Sequence, residues 1–189
     1  MLTGGSTSEI WELPPCEGPK LNAFRHRESR IKWLGRHDNE EEGVTSSQGY
    51  VLRAIICGRE YAVKVFKFFD PMSTEYLWGP ELGEDTSLDT TAYYTDPFYA
   101  ECRAYGRIRE AIKRRVLKAD VAIPCHGFLF LRPKDEEALK LVDLDLGLRH
   151  IDLDYQRSTV RGLRVRAIVK DIASSASSVS SRSVKKNPK

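Results

Sequence analysis

The chain lacks closely spaced cysteines. Cys16, Cys57, Cys102 and Cys125 are far apart, no CxxC occurs, and none of the four histidines stands at ligand spacing from them. That excludes the common zinc frameworks and argues for free thiols in a reducing compartment. Cys57 and Cys102 lie in apolar patterns that predict burial. Long hydrophobic runs are missing too, and the N-terminus has no charged-then-apolar leader, so neither a membrane span nor a signal segment is expected. Charge of one sign is not in large excess. The 30 basic and 27 acidic residues leave a net charge of +3, which gives little pull of the whole chain toward nucleic acid. No internal repeat appears. An intracellular soluble protein remains, and 189 residues with a 41% hydrophobic fraction suffice for one domain with tails.

The most informative stretch is residues 49–69. Two runs rich in β-branched and aromatic residues flank Gly58, which predicts a tight antiparallel hairpin. On the second run a period of two puts Ala62, Lys64, Phe66 and Phe68 on one face, and Tyr61, Val63, Val65 and Phe69 on the other. Lys64 is the lone charge between Tyr61 and Phe66. A lysine there needs an anionic partner or a path to water, because an unpaired buried ammonium is costly. One reading is an edge-strand lysine that blocks aggregation. The other is a lysine paired with phosphate or carboxylate beside a small, flat pocket floor.

Around the hairpin, residues 1–20 read as an irregular lead-in with Trp11 and Leu13 as isolated apolar points, and residues 31–35 as a first strand. Residues 72–94, with Gly79, Pro80 and Gly83, read as a long loop insert. A helix is expected over residues 96–118, with Asp96 as N-cap and Pro97 at the first helical position. Phe98, Cys102, Tyr105, Ile108 and Ile112 form its apolar face. Glu101 falls on that same face, where it needs a partner or is a boundary residue helped by the helix dipole. The basic residues Lys113, Arg114 and Arg115 suit the other end of that dipole. Pro124-Cys125-His126-Gly127 turns into a buried strand over residues 128–131. Residues 133–160 read as an irregular insert with a short helix over residues 136–141. Residues 163–170 read as a last strand, apolar at Leu163, Val165, Ala167 and Val169. Residues 173–189 are a serine-rich basic tail that cannot form a core.

Strand, loop, strand with Gly49-x-Val51, strand with Ala62-x-Lys64, helix with an inward Glu101, then two strands: this order resembles the small lobe of a protein kinase. Tyr61-Ala62-Val63-Lys64 matches the Val-Ala-Ile-Lys motif in type. The resemblance implies that Lys64 orients phosphate, that Glu101 is its ion-pair partner, and that Val51 and Ala62 cover an adenine beside Gly49. The lobe would span residues 21–172 as an α+β fold, a five-stranded antiparallel sheet with one major helix, and the cofactor it implies is ATP. Val44 and Ser46 stand where the earlier loop glycines belong, which weighs against phosphate held by backbone N–H groups. The wording of Asp96-Pro97-Phe98-Tyr99-Ala100-Glu101-Cys102-Arg103-Ala104-Tyr105-Gly106-Arg107, with residues 24–35, 61–71, 124–128 and 166–171, is similar to a fungal family of kinase-like proteins. That family is named after a subunit of the Sim4 kinetochore complex. It implies a nuclear, centromeric location.

A His-Arg-Asp loop, a metal-binding Asn and an Asp-Phe-Gly are absent, so no catalytic or metal-binding residue is assigned. His150-Ile151-Asp152-Leu153 looks like a degraded catalytic loop but precedes the last strand, on the wrong lobe in chain order. The expectation is a non-catalytic kinase-like interaction module with protein partners on the open face of the lobe. The rival is a truncated ATP-dependent phosphotransferase whose large lobe is missing from this chain. The basic tail implies only weak, non-specific contact with nucleic acid. A Lys64–Glu101 ion pair is the geometric prediction common to both readings.

Overall fold

The computed structural model of the chain describes residues 13, 17–37, 48–68, 88–140, 144, 146 and 164–173. His150, Asp152 and residues 174–189 lie outside them, as do large parts of the two expected inserts. Five strands, β1 (Ile31–Arg36), β2 (Gly49–Ile56), β3 (Arg59–Phe66), β4 (Cys125–Phe130) and β5 (Arg166–Lys170), form one antiparallel sheet in the order β1-β2-β3-β5-β4. The described helices are α1 (Leu88–Thr95), α2 (Pro97–Lys113) and α3 (Pro133–Lys140). The fold is α+β with an open five-stranded antiparallel sheet, as expected.

The β2–β3 hairpin closes through Cys57 and Gly58, since Ile56 still pairs with Arg59. Both turn residues have positive φ, 50° and 76°, the conformation whose twist matches a two-residue hairpin. This corrects the expectation that Cys57 is buried. It is exposed at the turn tip, where its Sγ lies 3.0 Å from Ser29 Oγ. A second correction concerns β5. Val165, Ala167 and Val169 are buried as predicted, but so are Arg166 and Ile168. The strand is central, paired with β3 on one side and β4 on the other, and is covered on both faces.

The sheet therefore separates two cores. One holds Leu52, Ala54, Val63, Val65, Ala167 and Val169, closed by Phe24 and by Leu139 of α3. The other holds Phe66, Phe128, Phe130 and Ile168 from the sheet, with Phe98 and Cys102 of α2 and with Leu13 and Leu21. Each fully buried Leu or Phe contributes about 1.5–3 kcal/mol by leaving water. Leu13 is thus a core residue, although the lead-in was expected to be irregular. Lys20 Nζ donates to its carbonyl at 2.9 Å. The chain then runs against α2, with Leu21 N donating to Cys102 O. Gly106 permits that approach: a Cβ there would stand 2.5 Å from Lys20 Cα.

Besides α3, which begins at Pro133 rather than residue 136, two helices differ from expectation. α2 begins as predicted, with the Asp96 side chain accepting from Phe98 N at 2.8 Å and Pro97 in the first turn. It stops at Lys113 rather than continuing to residue 118, because Arg115 takes a left-handed φ of 60°. Arg115 N then donates to Ile112 O and Val116 N to Ala111 O, the paired bonds of a Schellman cap. The second difference is α1, which lies in the stretch read as loop. Its sequence is rich in Thr and Tyr, poor helix formers, and it is fastened from outside. The Arg103 guanidinium donates to the carbonyls of Tyr93 and Tyr94 and stacks 4.7 Å from the Tyr93 ring centroid. Helix-terminal carbonyls that lack their own partners are satisfied in this way.

Candidate functional site

The face of the sheet that carries α2 holds every residue singled out in the sequence. Val51 of β2 pairs directly with Lys64 of β3, and Gly49 with Phe66. Residues opposite each other in an antiparallel pair point to the same side, so Val51, Ala62 and Lys64 share the α2 side of the sheet. Ala62 is buried and Val51 half-buried. Lys64 Nζ donates to Glu101 Oε1 of α2 at 2.8 Å. The side chains are 14% and 27% exposed, so the pair is largely shielded rather than solvated. The predicted ion pair is present. Lys64 Nζ also lies 4.7 Å from the Phe66 ring centroid, a cation–π contact.

Sequence reasoning missed the third member. Lys170, at the end of β5, brings its Nζ to 3.6 Å from Glu101 Oε2, an oxygen that is buried and accepts no hydrogen bond. The same ammonium lies 4.7 Å from the Tyr105 ring centroid. Burial alone would lower the Lys170 pKa. The Glu101 charge and the Tyr105 hydroxyl outweigh that effect and raise it, so the ammonium is held charged. One carboxylate thus serves two lysines from two strands. The only signal in the sequence was a lysine closing an apolar strand.

A second ion pair, also missed, anchors the other end of α2. Arg166 Nη1 meets Asp96 Oδ2, with both residues buried. The guanidinium is framed by Phe68, Phe98 and Tyr99, with ring centroids 5.5–5.8 Å away. Burial pushes the Asp96 carboxyl above its ordinary value, against the pull of Arg166 and of the Phe98 N–H. Asp96 to Glu101 is five helical steps, about 7.5 Å. Arg166 to Lys170 is four strand steps, about 13 Å, and the long lysine side chain spans the difference. The helix is tied to the strand at two points, with Ile168 packing among Phe98 and Cys102.

The neighbouring thiols are held in their neutral form. Burial pushes Cys125 up to about 12 and Cys102 well above its usual value. Where β5 ends, Asp171 Oδ1 accepts from Arg59 Nη2 at 2.6 Å and lies 2.7 Å from His126 Nε2. Among the described residues no group of three or more His, Cys, Asp and Glu stands at metal-binding spacing. No described helix is long and apolar enough to cross a membrane.

The family model of the kinetochore Sim4 complex subunit FTA2 matches residues 9–189. The chain belongs to that family. Membership implies protein partners and a nuclear, chromosomal setting. Comparison with curated proteins and with solved structures finds no match. The match spans both clamps, the hairpin and the segment that packs on α2.

Proposed function

We propose that the chain is a non-catalytic, kinase-like interaction module that works inside a kinetochore complex by binding protein partners. The observation that carries this reading is how the kinase-like residues are used. Glu101, which would serve a phosphate-orienting lysine alone, is shared between Lys64 and Lys170 and clamps α2 to the sheet. Gly49 has a structural reason of its own: a Cβ there would stand 2.3 Å from Val65 O, so the strand pairing requires glycine whether or not phosphate approaches. The order of strands around α2 supports the comparison with a kinase small lobe, and family membership supports the kinetochore setting.

A second reading, an ATP-dependent phosphotransferase of which this chain is the small lobe, draws on the 2.8 Å Lys64–Glu101 contact beside Val51 and Ala62. Thermal unfolding of the purified chain with and without Mg-ATP separates the two. The interaction reading expects no change of midpoint. A concentration-dependent rise that Lys64→Met abolishes would overturn the non-catalytic assignment and favour the nucleotide pocket. Loss of centromeric localisation by the tagged full chain in cells would instead count against the kinetochore setting.

A further inference from the structure

The α2–β4 connection displays apolar surface that the fold does not use. Val116 is 74% exposed, and Leu117, Val121 and Ile123 are exposed beside it in the same short loop. In a Schellman cap the residue at the position of Val116 ordinarily folds back on the last helical turn. Here it stands in solvent. The loop is nevertheless built: Val116 N donates to Ala111 O at 2.8 Å, Val121 N to Lys118 O at 3.3 Å, and Asp171 N to Pro124 O at 2.9 Å at its far end. Arg115, rather than glycine, occupies the left-handed position, which L side chains adopt at a conformational cost. A loop held open in this way presents its apolar side chains without having to be ordered on binding.

Charge says what would cover them. Residues 107–120 carry six basic side chains and two acidic ones, and one of the acids, Glu110, is already engaged by Arg114 at 2.7 Å. A duplex offers phosphates to the lysines and arginines but nothing to four aliphatic side chains, so a nucleic acid fits half of the surface. A second copy of this loop would set like charges against each other. A partner helix with leucines along one edge and carboxylates on its flanks satisfies both halves. We infer that the loop of residues 113–124 docks an acidic amphipathic helix of a protein partner. This rests on the interaction reading above and names its surface.

The test titrates the full chain into a fluorescein-labelled synthetic peptide with leucine at helical spacing and glutamate elsewhere, read by anisotropy. A control peptide carries lysine for every glutamate. Weakening by about tenfold or more is expected for the control peptide, for Val116→Ser with Val121→Ser, and for Lys113→Glu with Arg115→Glu. All four side chains are exposed, so the serine pair should leave the thermal midpoint unchanged, the glutamate pair should lower it slightly through the helix dipole, and a cooperative transition in both certifies the fold. Four outcomes overturn the proposal. They are equal binding of both peptides, unchanged affinity in either double variant, tighter binding of a short duplex DNA than of the acidic peptide, and self-association that the same substitutions abolish. If the peptide fails while the tagged full chain still localises to centromeres, the surface is wrong and the kinetochore reading stands. If localisation fails as well, both are lost.

Discussion

The two faces of the sheet solve the same problem by different physics. Against α3 the sheet presents mostly aliphatic side chains, and the core there is a matter of area removed from water. Between the sheet and α2 lie aromatic rings, the thiols of Cys102 and Cys125, and two ion-paired groups, Asp96–Arg166 and the Glu101 carboxylate with its lysines. Burying charge is unfavourable unless each group is paired in good geometry. The α2 face is therefore the one where position matters more than volume. An apolar contact lets a helix slide by fractions of a turn, whereas two ion pairs at separate points of helix and strand restrict the register of one on the other. The comparison predicts that the two faces respond differently to substitution and to pH.

The largest effect is expected at the fully enclosed clamp. Arg166→Met should cost on the order of 3–5 kcal/mol in urea unfolding near neutral pH, because the buried Asp96 carboxyl loses its cationic partner and keeps only the Phe98 N–H. Asp96 is already pushed upward by burial, and the loss of arginine raises it further. A carboxyl with a raised folded-state pKa contributes its stability below the unfolded value, about 4, and loses it as pH rises. The deficit of Arg166→Met should therefore grow from about pH 4 to pH 7. Adding Asp96→Asn should restore part of the loss, which a purely steric role of Arg166 would not allow. On the opposite face, Leu129→Ala should cost about 3 kcal/mol through lost burial and the cavity left behind. That cost should be flat across the same pH range, and a pH-dependent one would erase the distinction between the faces.

Legibility followed the same division. Alternation disclosed the aliphatic face, since Leu52, Ala54 and Ile56, and Tyr61, Val63 and Val65, fall two residues apart. Lys64 and Glu101 were legible because each broke an apolar pattern. Arg166 and Lys170 were not, because a charge alternating with apolar residues is also what a half-exposed strand looks like. Only the central place of β5, set by pairing with β3 and β4, turns that polar side inward. Helix α1 was illegible for a related reason. Its carbonyls are capped by Arg103, a residue of the next helix, and local propensity carries no record of that contact. The approach of Pro19 and Lys20 to α2 depends likewise on Gly106, more than eighty positions away.

A smaller and more diagnostic effect concerns the shared carboxylate. Because Glu101 has two lysines, either Lys64→Met or Lys170→Met should cost only about 1 kcal/mol, each leaving the other ammonium in place. The double variant should lose about 2 kcal/mol more than the sum, since the carboxylate is then stranded in a largely shielded site. Simple additivity in this cycle would mean that the lysines act independently and that Glu101 is not their common partner.

The smallest expected effect is alkaline and belongs to the α2 face alone. Cys102 and Cys125 both lie there, and burial raises both thiols, Cys125 to about 12. An unfolded cysteine ionises near pH 8.5, so above that value the unfolded chain releases protons that the folded one retains. Stability contributed by the neutral thiols is complete below about pH 8.5 and falls as pH rises toward the folded values. Between about pH 8 and pH 9.5 each thiol should remove about 1 kcal/mol, measured as a falling urea midpoint. Cys125→Ala should flatten that slope by one thiol's share, whereas Cys57→Ala, at the exposed hairpin tip, should leave it unchanged. An equal response to the two substitutions would show that the alkaline loss comes from elsewhere and that the thiols of the α2 face are not sealed from water.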